Sequence, residues 1–402
     1  MEKWKRNLIV CWFGTFVTMI GMSQIAPILP IYVKELGVTS IKLVEQISGI
    51  AFGLTFVTSA IFSPIWGKLA DKYGRKPMLL RASLGMSIVV ISMGFAHSIR
   101  LLIILRLLQG TISGYSTACT TLIATQTDKE HAGVALGTLS TAGIAGSLFG
   151  PVIGGYLEQI VGIRNEFFII GTLLSIAFIA SLIFVKEDFK PSEVKVLNFK
   201  EVWDIIPDNV LVISMFITSF MLQLAFYSIE PIITVYVTSL SKNATNVAFI
   251  SGLVFSTSGL ANILAARHLG RLSDRIGAHK VMLVALIVAG IIFIPQAFVK
   301  NPWQLMGLRF ILGLAAAGLT PSINTIIKKI TPDAITGRAF GFNMSALYLG
   351  TFCGSVLGGQ ISANFGIKYI FFITSALLLL NSLWVYKTVY KRMNNIELKN
   401  YI

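Results

Sequence analysis

Glu230 stands directly before Pro231 in the apolar run FYSIEPIITVYV, residues 226–237. A carboxyl group in such surroundings can carry a proton: desolvation disfavours its ionised form, so it can be neutral or charged near physiological pH. Of the eighteen acidic residues, the other seventeen fall in loops, at helix ends or in a repeated loop segment. Two arginines, Arg106 and Arg309, also lie within apolar runs, where a charge is expensive and faces protein or water. Asp71 and Arg75 stand four apart, the spacing at which opposite charges meet on one helical face. The chemistry on offer is proton binding and charge pairing.

Other chemistry lacks a signature. There is no HExxH, no GxSxG and no phosphate-cradling GxxxxGK[ST], so metal hydrolysis, acyl transfer and ATP hydrolysis have no local motif. The chain reads as a non-enzyme with no metal site and no cofactor. Cys11, Cys119 and Cys353 all fall in apolar runs and suggest no disulfide framework.

The elements that must hold Glu230 are long and apolar. Of 402 residues, 54% are hydrophobic and 13% charged, against about 25% charged in a soluble domain. Windows of about 20 apolar residues, the length that crosses a bilayer core, recur at 8–33, 46–70, 77–97, 99–124, 133–157, 166–185, 209–237, 247–270, 280–299, 303–327, 337–364 and 368–389. These predict twelve transmembrane helices in an all-α membrane protein. With the N-terminus cytoplasmic, about 24 Lys and Arg fall on the inner side and about 7 outside, the skew expected of a membrane protein with both termini in the cytoplasm. The net charge of +15 is thus an orientation signal and does not point to nucleic acid. The basic start followed by a long apolar run, with no small-residue cleavage site after it, reads as a retained first helix.

The chain repeats itself. GKLADKYGRK (67–76) recurs as GRLSDRIGAH (270–279), LRLLQG (105–110) as LRFILG (308–313), and GSLFGPVIGG (146–155) as GTFCGSVLGG (350–359). Ala26-Pro27 and Tyr32-Val33 lie 204 positions before Glu230-Pro231 and Tyr236-Val237. Four matched segments in one order mean duplication: residues 1–185 form one six-helix bundle, 186–208 a cytoplasmic linker, and 209–402 a second bundle related by a pseudo-twofold axis along the membrane normal. The residue before a proline is pushed from helical geometry, so Ala26-Pro27 and Glu230-Pro231 predict matching interruptions, and paired interruptions point to a transporter's binding site. At 1.5 Å per residue Glu230 lies roughly 10 Å below the outer end of its helix.

These segments resemble the major facilitator superfamily. GKLADKYGRK is similar to its loop signature between helices 2 and 3, LRLLQG to its helix 4 signature, and GSLFGPVIGG to the helix 5 pattern GxxxGPxxGG of the twelve-span drug:proton antiporters. WKRNLIV, LIATQ, ALGTLSTAGIAGSLFGP and NVAFISG resemble the MdtG-like multidrug exporters from end to end. The resemblance implies two bundles rocking about a central cavity. A proton enters as an amphipathic compound leaves across the bacterial cytoplasmic membrane, with protons, lipophilic or cationic drugs and the bilayer as partners and a monomer as the working unit.

Roles follow from the resemblance. Gly67, Asp71, Gly74 and Arg75 would form a gating latch, with a weaker copy at Asp274, where Ala278 replaces the arginine; a solvated hairpin is the alternative. Gly146, Gly150, Pro151, Gly154 and Gly155 would make a tightly seated, bent helix that seals a leak path, or serve packing alone. Ser355 replaces the proline in the second copy. Arg106 would tune a neighbouring acid during proton transfer, or bond backbone carbonyls as a structural arginine; Arg309 reads as structural. The Gram-positive quinolone exporters carry a helix 7 glutamate in a context similar to that of Glu230. Some family members add an acid in helix 10, and residues 312–321 offer none. The alternative for Glu230 is a side chain reaching the outer headgroups or satisfied by Tyr227 or an arginine. Gln24, Tyr115, Gln223, Tyr227, Asn324, Asn343 and Tyr348 are candidate cavity residues, though any single one is more often an interhelical hydrogen bond than a substrate contact. Proton-coupled drug export is the leading expectation. Uptake of a nutrient such as a sugar is the alternative, weakened by the scarcity of acids and amides at membrane depth.

Overall fold

The computed structural model describes residues 2–189, 208–241 and 246–394; the expected linker lies largely outside them. The described residues form helices: α1 (Lys3–Ser23), α2 (Ile25–Glu35), α3 (Ile41–Tyr73), α4 (Arg75–Gly94), α5 (Ile99–Ile112), α6 (Tyr115–Gln126), α7 (Lys129–Val161) and α8 (Ile163–Phe184) in the first half. The second half has α9 (Asn209–Tyr227), a 3-10 turn at Glu230–Ile232, α10 (Ile233–Leu240), α11 (Val247–Ile276), α12 (Ala278–Gln296), α13 (Pro302–Ala316), α14 (Leu319–Ile330), α15 (Asp333–Phe365) and α16 (Ile367–Val385).

Among the described residues ten helices are long and apolar enough to cross a membrane, and eleven when the α1–α2 pair, bent by 46°, is taken as one span. The expected span at 99–124 is instead divided into α5 and α6. Between them the Ser113 N–H turns back to the Gly110 carbonyl (3.3 Å) and Gly114 takes φ +116°, a left-handed conformation that glycine adopts without a steric penalty.

The helices sort their faces as a bilayer demands. On α8, Ile176, Ile179 and Ile183 are exposed, whereas Ile170, Leu174, Ala177 and Ser181 are buried against protein. Apolar groups turned outward are stable in lipid, and small residues turned inward let helices approach closely.

Two compact units result. One holds residues 2–189 and 246–256; the other holds 208–241 and 257–394. The stretch 246–256, which the sequence assigned to the second bundle, clusters with the first unit because it seats on α7. A Cβ on Gly155 would fall 2.3 Å from the Ala248 carbonyl oxygen, and one on Gly252 would fall 2.2 Å from that of Pro151. Ser256 Oγ donates to the Leu148 carbonyl at 2.5 Å.

Each unit repeats one internal plan: α1 packs on α7 and α4 on α8, as α9 packs on α15 and α12 on α16. The antiporter-type glycines explain the first pairing. A Cβ on Gly146 would lie 2.6 Å from Phe16 O, and one on Gly150 3.2 Å from Ile20 O, so this face of α7 lies on the backbone of α1. In the second copy, Cβ atoms on Gly350 and Gly354 would meet the carbonyl oxygens of Phe220 and Leu224 on α9, at 2.4 and 2.5 Å. Helix α7 runs unbroken through Pro151.

Both expected interruptions exist, but each starts earlier than the residue before the proline. Helix α1 ends at Ser23 and α9 at Tyr227, four residues before Pro27 and Pro231. A proline ring clashes with the carbonyl four residues back and offers that carbonyl no N–H, so the helix yields there.

Candidate functional site

In the second unit the chain leaves α9 at Tyr227, turns through Ser228 and Ile229, and re-forms as a 3-10 turn that begins with Glu230. Ser228 steadies the break: its Oγ donates to the Ala225 carbonyl at 2.7 Å and lies 2.9 Å from Thr374 Oγ1 on α16. The turn is wedged from the other side, since a Cβ on Gly358 would fall 1.8 Å from Ser228 O. Glu230 is partly buried within this unit, and Pro231 and Ile232, which follow it, are both buried.

Arg309 of α13 answers it. The two charges feel each other, and Arg309 is only 5% exposed. Its Nε and Nη2 are buried without a hydrogen-bond partner, and the ring of Phe293 lies 5.9 Å from the guanidinium carbon. Buried donors without acceptors are costly, so Nε and Nη2 of Arg309 do not make the carbonyl bonds expected of a structural arginine. Arg309 is a cation held in the field of one acid. Tyr227 joins them through its electrostatic coupling to both Glu230 and Tyr348. Four side chains from three helices and a turn thus converge: an acid, a cation and two phenols.

Arg106 has the opposite environment. Its Nε donates to Ala51 O (3.0 Å), Nη2 to Phe52 O (3.3 Å) and Nη1 to Gln109 Oε1 (2.5 Å). Thr55 Oγ1 donates to the Arg106 carbonyl at 3.0 Å. These bonds tie α3 to α5, which favours the structural alternative for Arg106. Gln109 corresponds to Leu312 in the repeat, and that exchange removes the side-chain acceptor in the second copy.

The other candidate cavity residues scatter. Tyr115, 1% exposed, is core: its hydroxyl pairs with Ser181 Oγ at 2.9 Å and fills the space left by Gly14. Gln223 lies beside Gly350, Asn343 is buried with Oδ1 unpartnered, and Asn324 is half-buried on α14. Gln24 is 1% exposed with Oε1 unpartnered. It sits in the first unit against Gly154 and beside a carboxyl the sequence reading passed over, Glu166, whose residue is fully buried. Its place in the first turn of α8 had put it among the helix-end acids; burial is the feature that sequence position does not carry.

The loop signature forms its expected pair. Arg75 Nη2 bonds Asp71 Oδ1 at 2.6 Å, with the Asp71 side chain 58% exposed, and Gly74 turns the chain at φ +96°. An unforeseen partner completes it. Glu187, counted with the charged linker in sequence, accepts from the backbone N–H groups of Arg75 and Lys76, both at 2.7 Å. It caps the start of α4, where free N–H groups and the helix dipole favour a carboxylate. Gly67 borders open space. In the second copy Gly277 repeats the turn at φ +99°, but Asp274 is exposed and Ala278, where Arg75 stands in the first, offers no cation. Among the described residues no group of three or more His, Cys, Asp or Glu could hold a metal ion.

Comparison with known proteins agrees with this architecture. Residues 11–253 and 215–399 match the sequence pattern of the Major Facilitator Superfamily. The chain is 43% identical over 390 residues to multidrug resistance protein MdtG of Salmonella arizonae, covering 97% of this chain and 96% of that protein. It is also 43% identical over 395 residues to the protein of that name from Salmonella paratyphi B, covering 98% of each. Among solved structures it resembles a bacterial homolog of the human lysosomal transporter Spinster, with a TM-score of 0.79 at 12% identity over 96% of this chain and 97% of that one. The nucleoside transporter NupG gives 0.78 at 13% identity, over 96% and 99%. At these identities the structural likeness speaks to fold alone.

Proposed function

Because the chain belongs to the Major Facilitator Superfamily, we propose that it exports amphipathic, often cationic drugs across the cytoplasmic membrane in exchange for protons, by alternating access and with both termini in the cytoplasm. Relatives named multidrug resistance proteins, aligned over nearly the whole chain, support drugs as the cargo. The observation that carries proton coupling is Glu230 at the break between α9 and α10, within the field of a buried Arg309 that has no hydrogen-bond partner on Nε or Nη2.

In this reading Glu230 takes a proton from the outer side and releases it inward. When the carboxylate is charged, Arg309 stabilises it. When it is neutral, the arginine is left without that counter-charge, so the two protonation states favour different packings of α13 against the broken helix. Tyr227 and Tyr348 offer aromatic faces to flat or cationic compounds. The exposed Asp71–Arg75 pair and the Glu187 cap act as the latch. Such a monomer needs no cofactor.

The driving force is sufficient. One charge crossing 100 mV gains about 2.3 kcal/mol, and each pH unit adds about 1.36 kcal/mol. At about 1.4 kcal/mol per tenfold, one proton sustains a gradient of a neutral compound of about a hundredfold or more. For a monovalent cation the electrical contributions cancel and only the pH gradient remains.

Everted vesicles with an imposed pH gradient test this. Wild type accumulates a fluorescent cationic dye when the gradient is applied, and Glu230→Gln, which keeps shape but cannot ionise, loses at least tenfold of that accumulation. Undiminished pH-driven accumulation in folded Glu230→Gln protein rejects the assignment.

A further inference from the structure

The first unit holds a second acid that this mechanism does not use. Glu166 is fully buried, and both of its carboxyl oxygens lack a hydrogen-bond partner. Across from it, Gln24, at the α1–α2 break, is 1% exposed with Oε1 equally unpartnered. Gly154 of α7 separates them: a Cβ there would fall 3.0 Å from Glu166 Oε1 and 2.7 Å from Gln24 Cβ. Only a glycine leaves this space.

Two residues bordering one gap thus carry buried acceptors without a hydrogen. An ionised Glu166 leaves both of its oxygens and Gln24 Oε1 unsatisfied. A protonated Glu166 gains one O–H donor, and Gln24, whose Cβ borders the same gap, carries an acceptor without a partner. Against this, the first turn of α8 places the carboxyl near a helix N-terminus, which favours negative charge. The surroundings thus support both forms.

Glu158, one turn beyond Gly154 on α7, is half-buried, and its charge is felt at Glu166. Glu35 of α2 is felt at Glu158 in turn and pairs with Arg164 Nε of α8 at 2.9 Å. Tyr32 of α2 packs on Phe167 with ring centroids 5.3 Å apart, but its hydroxyl is spent on the carbonyls of Met93 and Ala96 at 2.5 and 3.3 Å. The ionisable groups of α1 and α4, among the described residues, lie toward the opposite ends of those helices.

We propose that Glu166 is a second exchangeable proton site, taking a proton from water, sharing it with Gln24 beside Gly154, and returning it in the transport cycle. The carboxylate gains a proton to form an O–H, and the same bond breaks on release. The inference rests on the reading that export is proton-driven, and would give this transporter one titrating carboxyl in each half.

Infrared difference spectroscopy of the full chain in lipid nanodiscs, titrated from alkaline to acid pH, reads protonated carboxyl groups by their C=O stretch, independently of transport. A band from Glu166 and one from Glu230 are expected in wild type. Glu166→Gln should remove one and Glu230→Gln the other, and proton uptake per molecule should fall by one in each. A Glu166→Gln spectrum identical to wild type overturns the proposal. So does a Glu166 band that is present at every pH, since such an acid never exchanges. Gln24→Leu leaves Glu166 in place and serves if Glu166→Gln does not fold: it should move that band to higher frequency, and an unmoved band overturns the shared proton. Failure of proton-driven export would appear instead as undiminished accumulation by Glu230→Gln vesicles.

Discussion

In the second half of the chain Glu230 sits on the broken helix itself; in the first half Glu166 sits on the helix packed across from the break. Glu230 corresponds to Ala26 at an offset of 204, and Glu166 to Ile370 at the same offset. The scaffold around each is shared. Tyr32 and Tyr236 each donate to a carbonyl, at 2.5 and 2.8 Å, and each packs on a phenylalanine, Phe167 or Phe371, at 5.3 or 5.1 Å. Duplication therefore kept the frame and let the chemistry drift. The first half spends its arginine on backbone carbonyls and leaves its acid without a cation, while the second holds acid and arginine in each other's field.

The sharpest way to break this comparison is at the glycines that seat each break. Gly358→Ala drives a Cβ into the Ser228 carbonyl, a backbone atom that cannot move aside. The expected cost is about 3 kcal/mol or more, the upper end for overpacking, seen as lost yield and a lowered Tm in detergent. Gly154→Ala meets mainly side-chain atoms of Gln24 and Glu166 and should cost about 1 kcal/mol. Equal losses in the two variants would mean the breaks are seated alike.

The arginines sharpen it further. Arg106→Gln strips donors from Ala51 O, Phe52 O and Gln109, so thermal stability should fall by about 1–3 kcal/mol while the shape of the pH profile of export is kept. Arg309→Gln removes a buried charge with few partners, so stability should hold or rise while the pH profile of export changes. A reversed pattern would exchange their roles.

The smallest effects lie in the loop signature. Glu187→Ala removes the cap of α4 and should cost about 1 kcal/mol. Asp71→Asn breaks an exposed pair worth at most about 1 kcal/mol, so its effect on stability should be the lesser of the two. Chemical denaturation ranks them, and drug export at equal protein level reads the latch.

Much of the frame was legible because it depends on local composition and on copying. Apolar windows, the glycine face of α7 and the turn at Gly74 follow from residue type and spacing, which act within a helix turn or between repeats. The proline breaks were legible in place but three residues early in the fold, because the clash falls on the carbonyl four residues back. The expected span at 99–124 divided at Gly114, where backbone freedom overrides apolar length. Tyr115 looked like a cavity residue and is core, because the empty space it fills belongs to Gly14, about a hundred positions away.

What the sequence by itself determined is a duplicated membrane chain with one acid set beside a helix-breaking proline. What only the tertiary structure decided is the electrical neighbourhood of each ionisable group. Arg106 and Arg309 share a motif, and Glu166 looks like any acid at a helix end. Satisfied or orphaned, paired or alone, depends on which carbonyl or carboxyl another helix brings within a few ångströms, and at that range Coulomb and hydrogen-bond energies are set by distance and burial, quantities that no local pattern encodes.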